Sequence, residues 1–292
     1  KKLFEVVSNP EFLREGEAIR DFRFPDRIVV GTNNKKVIKK LQSLYEPLIK
    51  KGAKFFSTNR RGAELIKYAS NAFLATKISY INEISNLCEK TGVNVEDVSI
   101  GIGLDQRIGS RFLRAGPAYG GSCFPKDTKA ITVTGDKFKT NLSIIKSVIK
   151  SNENRRLLLT RKVEKILAKK IKNKKIAFLG VTFKPNTDDM RQSTSLLMIP
   201  YFHKKGAKIN YYDPSGKKNE FSKLKNVFFC KDINSACKDI DLVIIHTEWE
   251  EFKAIDFKKI SKKKKFKIYD MRNLYSPQNM KRQGLTYYSI GR

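Results

Sequence analysis

Hydrophobic and polar positions follow three different patterns along the chain, and these patterns divide it into three parts. In the first part, short apolar runs are separated by turn residues, and a helical stretch covers residues 36–50. An apolar run, a helix and a second apolar run in succession are typical of a βαβ unit. We therefore expect the end of an α/β domain here, with strands at residues 3–7, 27–31 and 53–57.

The second part has helical periodicity. Apolar residues recur at spacings of three and four from residue 61 to residue 91, and Gly92 is well placed to end that helix. Asn94, with Asp97 three positions later, can begin a second helix. A further apolar pattern of the same period covers residues 141–170. We expect the middle of the chain to be helical throughout.

The third part consists of near-continuous apolar runs with helical segments between them. These runs lie at residues 175–180, 208–213, 241–246 and 266–270. Strands of this kind, apolar on both faces, indicate a parallel, doubly wound sheet. Ligands of such sheets bind beyond the carboxyl ends of the strands. The positions at these ends are residues 180–184, Asp213, Thr247 and Arg272.

Together the patterns predict an α/β protein with three domains, at residues 1–60, 61–165 and 166–292. The first would be the remnant of an N-terminal Rossmann-like domain and the last a complete Rossmann-like domain. No G-x-G-x-x-G sequence follows an expected strand in residues 1–60. A dinucleotide-binding domain would therefore have its phosphate loop before Lys1, so we expect the chain to be truncated and inactive alone.

Charge is the extreme property of the composition. The 292 residues carry a formal net charge of +31, from 60 Lys and Arg residues against 29 Asp and Glu residues. Such a charge suits phosphate groups, and a nucleic-acid-binding module is one interpretation. However, lysines are scattered through every segment, most densely at residues 258–267, and no recognised nucleic-acid-binding motif occurs. We favour a solvated basic surface that attracts anionic substrates, and expect no specific nucleic-acid partner.

No run approaches the roughly 18 consecutive apolar residues of a membrane span, and the first residues do not resemble a signal peptide. We therefore expect a cytoplasmic protein with no membrane partner. The cysteines form no C-x-x-C pair and have no histidine at ligand spacing, so we expect reduced thiols and no metal site. They are Cys88, Cys123, Cys230 and Cys237.

One cysteine lies in a stretch that suits covalent chemistry, since residues 118–127 have the sequence AYGGSCFPKD. Cys123 follows two glycines, which let a ligand approach the backbone, and Pro125 favours the first position of a helix. The sulfur would then lie just before a helix N-terminus and near Lys126, and both favour the thiolate. Asp127 could orient a water molecule or take its proton. An isolated cysteine is more often a small buried side chain, but these neighbours favour a nucleophile.

The same stretch also resembles the papain-type cysteine-protease signature. Gly120 stands where that signature has its first cysteine, and the stretch lies far from the N-terminus. A papain-like fold also does not end in a parallel α/β domain, so we reject this alternative.

Four motifs in a fixed order resemble the UDP-glucose/GDP-mannose dehydrogenase family. They are SNPEFLREG at residues 8–16, ELIKYASN at 64–71, GGSCFPKD at 120–127, and GVTFK at 180–184 followed by TDDMR at 187–191. The resemblance extends along the whole chain. It implies that residues 1–60 are the C-terminal part of an NAD-binding domain, that residues 61–165 form a helical dimerisation domain, and that residues 166–292 bind the UDP-sugar.

The resemblance also implies a reaction and its partners. The family oxidises the C6 alcohol of a sugar nucleotide to a carboxylate by two hydride transfers to NAD, and we expect UDP-glucose as substrate and a homodimer or higher homo-oligomer. A cysteine of the family forms a thiohemiacetal and then a thioester, and that cysteine would be Cys123. A UDP-N-acetylhexosamine or GDP-mannose remains the alternative substrate, since the motifs are shared.

Catalytic roles follow from the matching motif positions. Lys67 and Asn71 are four residues apart on one expected helix, so both could stabilise a developing alkoxide or oxyanion. The resemblance makes Glu11 the expected base for thioester hydrolysis and Asp127 a supporting acid or base. With Cys123, these residues form the expected catalytic set.

Binding roles follow in the same way. The resemblance implies that Arg107 enters the site from the partner subunit, and that Lys126 and Arg191 contact NAD. Cations suit a diphosphate and a sugar carboxylate, the groups expected near Lys184 and Arg272. The expected sugar-nucleotide contacts are Phe12, Leu13, Glu15, Arg107, Phe112, Arg114, Tyr119, Gly120, Lys184 and Arg272. We assign no functional role to the two histidines, to Trp249 or to the other three cysteines.

Overall fold

A two-stranded parallel sheet, a group of long helices and a six-stranded parallel sheet follow one another along the chain. The computed structural model describes residues 4–261 and 265–292. Residues 262–264 of the dense lysine run and Leu3 of the first expected strand lie outside the described residues. Within the described residues, no helix is both long and apolar enough to cross a membrane.

The first part contains one small βαβ unit. Its strands pair in parallel, with Ile28 opposite Phe55, and the apolar side chains between them and the helices form a separate small core. The elements are α1 (Ala18–Arg23), β1 (Arg27–Gly31), α2 (Lys35–Leu44), α3 (Glu46–Ile49) and β2 (Lys54–Thr58).

Two details of the first part differ from expectation. Residues 4–7 form no strand, and the segment touches the sheet only through an isolated bridge between Ser8 and Gly31. The single helix expected at residues 36–50 is two helices that meet at Tyr45. Pro47 explains the break, because a proline is accommodated in the first turn of a helix but not in its interior.

The middle part is mainly helical, but the expectation of helix throughout was wrong for residues 104–122. Its helices are α4 (Arg60–Thr91), α5 (Val95–Gly103), α6 (Cys123–Lys137) and α7 (Ser143–Ile166). Gly92 ends α4 with a left-handed φ of 73°, and Asn94 begins α5 by accepting a hydrogen bond from the Glu96 backbone. Helix α4 packs against both α6 and α7. Residues 104–122 are not helical, and this long loop leads directly to Cys123.

The last part is a doubly wound sheet of six parallel strands in the order β5-β4-β3-β6-β7-β8. The strands are β3 (Lys175–Leu179), β4 (Lys208–Tyr212), β5 (Val227–Phe229), β6 (Leu242–Ile245), β7 (Lys267–Asp270) and β8 (Thr286–Tyr288). The helices are α8 (Ser195–Lys204), α9 (Ile233–Ala236), α10 (Phe257–Ile260) and α11 (Pro277–Arg282). The four expected strands and the doubly wound α/β class are confirmed. Strands β5 and β8 were missed because each has only three residues, at an edge of the sheet.

One continuous core joins the middle part to the last part. Ile81 of α4 and Leu159 of α7 belong to the same buried cluster as Ile176 and Phe178 of β3. The chain end adds to this connection, since the carbonyl of Gly291 accepts a hydrogen bond of 2.8 Å from the Val95 backbone. Leu113 and Ala115 of the loop at residues 104–122 belong to the same cluster, so the loop packs against both parts.

Candidate active site

Cys123 is the first residue of α6, and its side chain is exposed. The expectation that the helix would begin at Pro125 was wrong by two residues; Pro125 is the third residue of the helix, where its missing N–H costs no helical hydrogen bond. The sulfur lies 3.7 Å from the Ser122 hydroxyl. At this position the unpaired backbone N–H groups of the first turn favour a negative charge.

Three cations act electrostatically on Cys123, one from its own helix and two from the last part of the chain. The pKa of Lys126 is raised chiefly by its hydrogen bond to Asp127, and that of Arg191 chiefly by its hydrogen bond to Asp189. Burial lowers the pKa of Lys184. A Cys123 thiolate is close enough to act on the pKa of all three in the raising direction. Lys126, Lys184 and Arg191 therefore lie within electrostatic range of Cys123.

Asp127 lies one helical turn after Cys123 and is buried. Its two carboxylate oxygens have separate partners: Asn71 donates to Oδ2 at 2.6 Å, and Lys126 donates to Oδ1 at 2.6 Å. The carboxylate is therefore held by α4 on one side and by its own helix on the other. Because Asn71 is also buried, this pair is a fixed part of the floor of the site.

Lys67 precedes Asn71 by one turn of α4 and points to the segment that carries Glu11. Its ammonium donates to the Glu11 carbonyl and lies 3.2 Å from Glu11 Oε1. The other carboxylate oxygen of Glu11 accepts a hydrogen bond of 2.6 Å from the Leu13 backbone. Lys67 also lies 5.3 Å from the ring centroid of Phe12. Helix α4 thus brings the residues of the first motif to those of the second.

Glu15 joins the first motif to the last part of the chain. Its carbonyl accepts a hydrogen bond of 2.5 Å from Lys184 Nζ, and its carboxylate accepts one of 2.6 Å from the Thr187 hydroxyl. Gly16 follows with a φ of 79°, and a Cβ there would lie 2.6 Å from the Asn186 carbonyl oxygen. These two hydrogen bonds join residues 169 and 172 positions apart, so only the tertiary fold brings the partners together.

Close packing requires glycine at the two positions 120 and 121 before Ser122 and Cys123. A Cβ on Gly121, whose φ is 76°, would lie 2.7 Å from the Phe183 ring, and one on Gly120 would lie 2.7 Å from the Gln192 carbonyl oxygen. The Gly121 N–H donates to the Arg191 carbonyl at 2.8 Å. The glycines therefore let the loop pack against the last part of the chain, whereas the sequence had suggested only approach by a ligand.

Aromatic side chains line the loop on its helical side. Phe112 and Tyr119 each pack edge-on against Phe124, with ring centroids 6.1 Å apart in both pairs. Tyr119 is buried, and Phe112 adopts a left-handed φ of 65°, which is unusual for a bulky residue. Leu113 is buried in the core shared with the last part, whereas Arg114 is exposed and donates to the Arg272 carbonyl at 3.5 Å.

Arg272 acts as a junction beneath this loop. Its Nε lies 2.8 Å from the His246 carbonyl oxygen and 2.6 Å from Glu248 Oε2, and its Nη2 donates to the Phe183 carbonyl at 3.0 Å. The remaining nitrogen, Nη1, would lie 3.4 Å from a Cβ added at Gly116. Arg272 therefore ties together two loops at the carboxyl edge of the sheet and faces the loop that leads to Cys123.

Arg107 is not among the residues that the structure brings together around Cys123. Its guanidinium is paired with Asp105 at 2.6 Å, and the side chain is 88% exposed. The predicted entry of Arg107 into the site of a partner subunit stays a prediction.

Sequence reasoning missed the side chains that hold the loop. Asn152 exchanges two hydrogen bonds with the Tyr119 backbone, at 2.8 and 3.1 Å. Arg155 donates to the Gly116 carbonyl at 3.1 and 3.0 Å, and Arg156 donates to the Gln192 carbonyl at 2.9 Å. The one signal in the sequence was Arg155, which the helical period places on the apolar face of α7. The period does not identify the partner of this arginine.

Three family models match consecutive parts of the chain. Residues 1–49 match the NAD binding domain of the UDP-glucose/GDP-mannose dehydrogenase family, residues 61–154 match its central domain, and residues 177–277 match its UDP binding domain. The matches occur in the same order as the four sequence motifs.

Individual relatives agree with these matches. The UDP-glucose 6-dehydrogenases of Rickettsia felis and Rickettsia prowazekii are each 47% identical over 291 residues, 99% of this chain and 65% and 67% of theirs. A solved UDP-glucose dehydrogenase from Pyrobaculum islandicum is 34% identical, with a TM-score of 0.86 over 97% of this chain and 62% of that one. The chain therefore belongs to the UDP-glucose/GDP-mannose dehydrogenase family, and it spans about two thirds of the length of the curated relatives, at 65% and 67%.

Proposed function

We propose that this chain carries the catalytic cysteine and the sugar-nucleotide site of an NAD-dependent UDP-glucose 6-dehydrogenase, which oxidises UDP-glucose to UDP-glucuronate. The observation that carries the proposal is the exposed Cys123 at the start of α6, with Lys126, Lys184 and Arg191 around it. The names of the relatives support the choice of substrate. The expected domains at residues 1–60, 61–165 and 166–292 are part of the same proposal.

Cys123 acts as the nucleophile in this mechanism. Its thiolate adds to the aldehyde carbon of the half-oxidised sugar and forms a thiohemiacetal, whose oxidation leaves a thioester. Water then attacks the thioester carbon, the C–S bond breaks, and the sulfur leaves as the thiolate that began the cycle. The helix N-terminus and the nearby cations stabilise the sulfur anion in both steps.

Lys67 and Asn71 serve the oxygen of the reacting carbon. A charged ammonium and an amide N–H on one face of α4 can stabilise the negative charge that develops on that oxygen. Asn71 is held in place by Asp127 at 2.6 Å, so its orientation is set before substrate binds. Glu11, whose carboxylate is exposed at the surface of the site, takes the proton of the attacking water, and Asp127 supports this transfer.

The residues present fit a bound NAD. Lys126 is paired with Asp127 and Arg191 with Asp189, but their side chains are 68% and 65% exposed, so each can also meet a phosphate or a carboxamide. When bound, NAD accepts the hydride in each of the two oxidations. Lys126 and Arg191 would hold it close to the sulfur.

The sugar nucleotide binds between the first motif and the carboxyl edge of the six-stranded sheet. Lys184 and Arg272 supply positive charge for the diphosphate and the sugar. The loop from Arg114 to Gly120 covers the nucleotide, and Phe112 and Tyr119 supply apolar surface there. Phe12, Leu13 and Glu15 line the sugar pocket.

A homodimer is part of the proposal. Phe73, Tyr80 and Leu87 recur every seven residues along α4 and are all more than half exposed, at 66%, 52% and 58%. Such a stripe on a long helix is typical of a surface that another helix covers. Arg107 of one subunit would then enter the site of the other. Light scattering after size-exclusion chromatography tests the oligomer, and a strict monomer at micromolar concentration would contradict it.

Calorimetric titration of the 292-residue chain with UDP-glucose tests the substrate assignment. We expect saturable binding that is weakened at least about tenfold in Lys184→Ala, since a charged hydrogen bond is lost. Lys205→Ala is the matched control, because Lys205 pairs with Glu164 on α7 instead. Tighter binding of UDP-N-acetylglucosamine or GDP-mannose would replace the substrate. Binding of a DNA duplex that UDP-glucose does not displace, with no sugar-nucleotide binding, would favour the nucleic-acid alternative.

A further inference from the structure

The six-stranded sheet has the strand order of a dinucleotide-binding domain. Counted from β3, the order β5-β4-β3-β6-β7-β8 is 3-2-1-4-5-6. In such a domain the loop after the first strand binds a pyrophosphate through backbone N–H groups, and an acidic residue after the second strand binds a ribose. Here the corresponding positions are the turn at residues 180–184 and Asp213.

In this structure Asp213 is hydrogen-bonded to the turn at residues 180–184. Asp213 directly follows β4 and is 1% exposed. Its Oδ2 accepts hydrogen bonds from the Val181 N–H at 2.7 Å, the Thr182 N–H at 3.3 Å and the Thr182 hydroxyl at 3.4 Å. Its Oδ1 accepts from the Ser215 N–H at 3.0 Å and from the Ser215 hydroxyl. The carboxylate thus occupies the N–H cradle in which a phosphate oxygen would lie.

The turn leaves no room for a second anion. A Cβ on Gly180, which has a φ of 76°, would lie 2.5 Å from Thr247 Cβ. The Thr247 hydroxyl donates to the Thr182 carbonyl at 2.7 Å and closes the turn from the other side. In addition, α8 begins only at Ser195, so no helix N-terminus follows the turn directly. A pyrophosphate would have neither space nor a helix dipole at this point.

A buried lysine extends the network around Asp213. Lys218 is only 5% exposed, and its ammonium donates to the Ser215 hydroxyl at 2.7 Å and lies 3.4 Å from the Asp188 carbonyl oxygen. Ser215 in turn donates to Asp213. The network therefore reaches from the turn before Lys184 to the segment before Arg191, and its positive charge balances the buried carboxylate.

We propose that Asp213 is an internal anion that fills the phosphate-binding turn of the second α/β domain. It excludes a dinucleotide from this domain, and it holds the turn so that Lys184 points to Glu15 and the cysteine. The statement about Lys184 rests on the proposed function, whereas the filling of the turn does not.

Hydrogen exchange in the 292-residue chain tests the filling of the turn. In Asp213→Ala, we expect the Val181 and Thr182 amides to exchange at least about tenfold faster, because both lose a charged acceptor. Formate should restore slow exchange, since its carboxylate can enter the vacated cradle, and chloride at equal ionic strength should not. Asp232→Ala is the matched control, because Asp232 accepts from the Ser235 N–H and hydroxyl in the same domain but is exposed.

Asp213→Asn provides a second variant if the alanine variant does not fold. Asparagine keeps the side-chain volume of aspartate and one carbonyl oxygen as acceptor. The Val181 and Thr182 amides should therefore exchange more slowly than in Asp213→Ala, and formate should not change their rates. UDP-glucose should bind at least about tenfold more weakly to both variants and normally to Asp232→Ala. Unchanged exchange at Val181 and Thr182, or equal effects of formate and chloride, would overturn the proposal. If the wild-type chain binds no UDP-glucose, the proposed function fails, but the exchange results still decide the role of Asp213.

Discussion

The amide of Asn71 on α4 donates a hydrogen bond of 2.6 Å to the buried carboxylate of Asp127 on α6. This contact ties the helix of Lys67 to the helix that begins with Cys123. Because both side chains are buried, water cannot replace either partner, and loss of this hydrogen bond would lower the free energy of unfolding.

Removing this amide should destabilise the fold. Asn71→Ala leaves one oxygen of a buried carboxylate without its donor, so we expect a loss of about 1–3 kcal/mol in the free energy of unfolding. Urea denaturation followed by circular dichroism measures it. Asn154→Ala on the exposed face of α7 is the control and should change stability by less than about 0.5 kcal/mol. Equal effects of the two substitutions would show that the Asn71 contact contributes nothing.

The cysteines should differ sharply in reactivity. Burial raises the pKa of Cys237 to about 12 and also raises that of Cys230, so neither thiol forms a reactive thiolate near neutral pH. Cys123 is exposed at a helix start and should be alkylated first. Iodoacetamide labelling of the folded chain, followed by peptide mass spectrometry, measures the order. Faster labelling of Cys237 than of Cys123 would contradict this assignment.

The proposed mechanism predicts that Cys123→Ser abolishes net turnover. An alkoxide leaves less readily than a thiolate, so the variant should either stop before the second oxidation or accumulate a slow ester. We expect a loss of several orders of magnitude in kcat, as is usual for a nucleophile. Steady-state NADH formation and intact-protein mass measure both outcomes. Cys230→Ser is the control, and a Cys123→Ser enzyme as active as that control would remove the thiol from the mechanism.

His246 should make the fold sensitive to acid. Burial, with the nearby Arg272 charge, lowers its pKa from 6.5 to about 3. Between about pH 6.5 and pH 3, His246 is protonated in the unfolded chain but neutral in the folded chain. The free energy of unfolding therefore has its full value above about pH 6.5 and falls as the pH drops toward 3. We expect a slope of up to about 1.4 kcal/mol per pH unit from this residue.

The test compares unfolding free energies at about pH 4 to 7 in wild type, His246→Gln and His203→Gln. His246→Gln should remove this slope, whatever its stability at neutral pH, because glutamine does not titrate in this range. His203, which is only partly buried, is the control and should keep the slope. An unchanged slope in His246→Gln would assign the acid sensitivity to other groups.

Gly121 should tolerate no side chain. Gly121→Ala combines a φ of 76° with a Cβ 2.7 Å from the Phe183 ring, whereas Gly109→Ala, at a φ of 69°, meets nothing within 4 Å. Both variants carry the backbone cost of about 1–2 kcal/mol for a left-handed residue, so the difference between them isolates the contact with Phe183. We expect Gly121→Ala to be the less stable by more than about 1 kcal/mol in urea denaturation. Equal stabilities would mean that the loop moves away from Phe183 at no cost.

The sequence by itself determined the local elements of this protein. The apolar periods and caps set the ends of α4 and α5, at Gly92 and Asn94, because backbone φ and capping hydrogen bonds involve residues close in sequence. The unbroken apolar runs predicted a buried parallel sheet for the same local reason. The order of the four motifs also identifies the family, because it depends on the sequence alone.

Only the tertiary structure decided which side chains meet. Asn71 and Asp127 are separated by 56 residues, and Glu15 and Lys184 by 169, so no local pattern links them. The same holds for Asp213, which resembles a ribose-binding residue in sequence but bonds to the Val181 backbone. Such contacts depend on how helices and sheets pack, and packing is determined by burial and shape across the whole chain rather than by neighbouring residues.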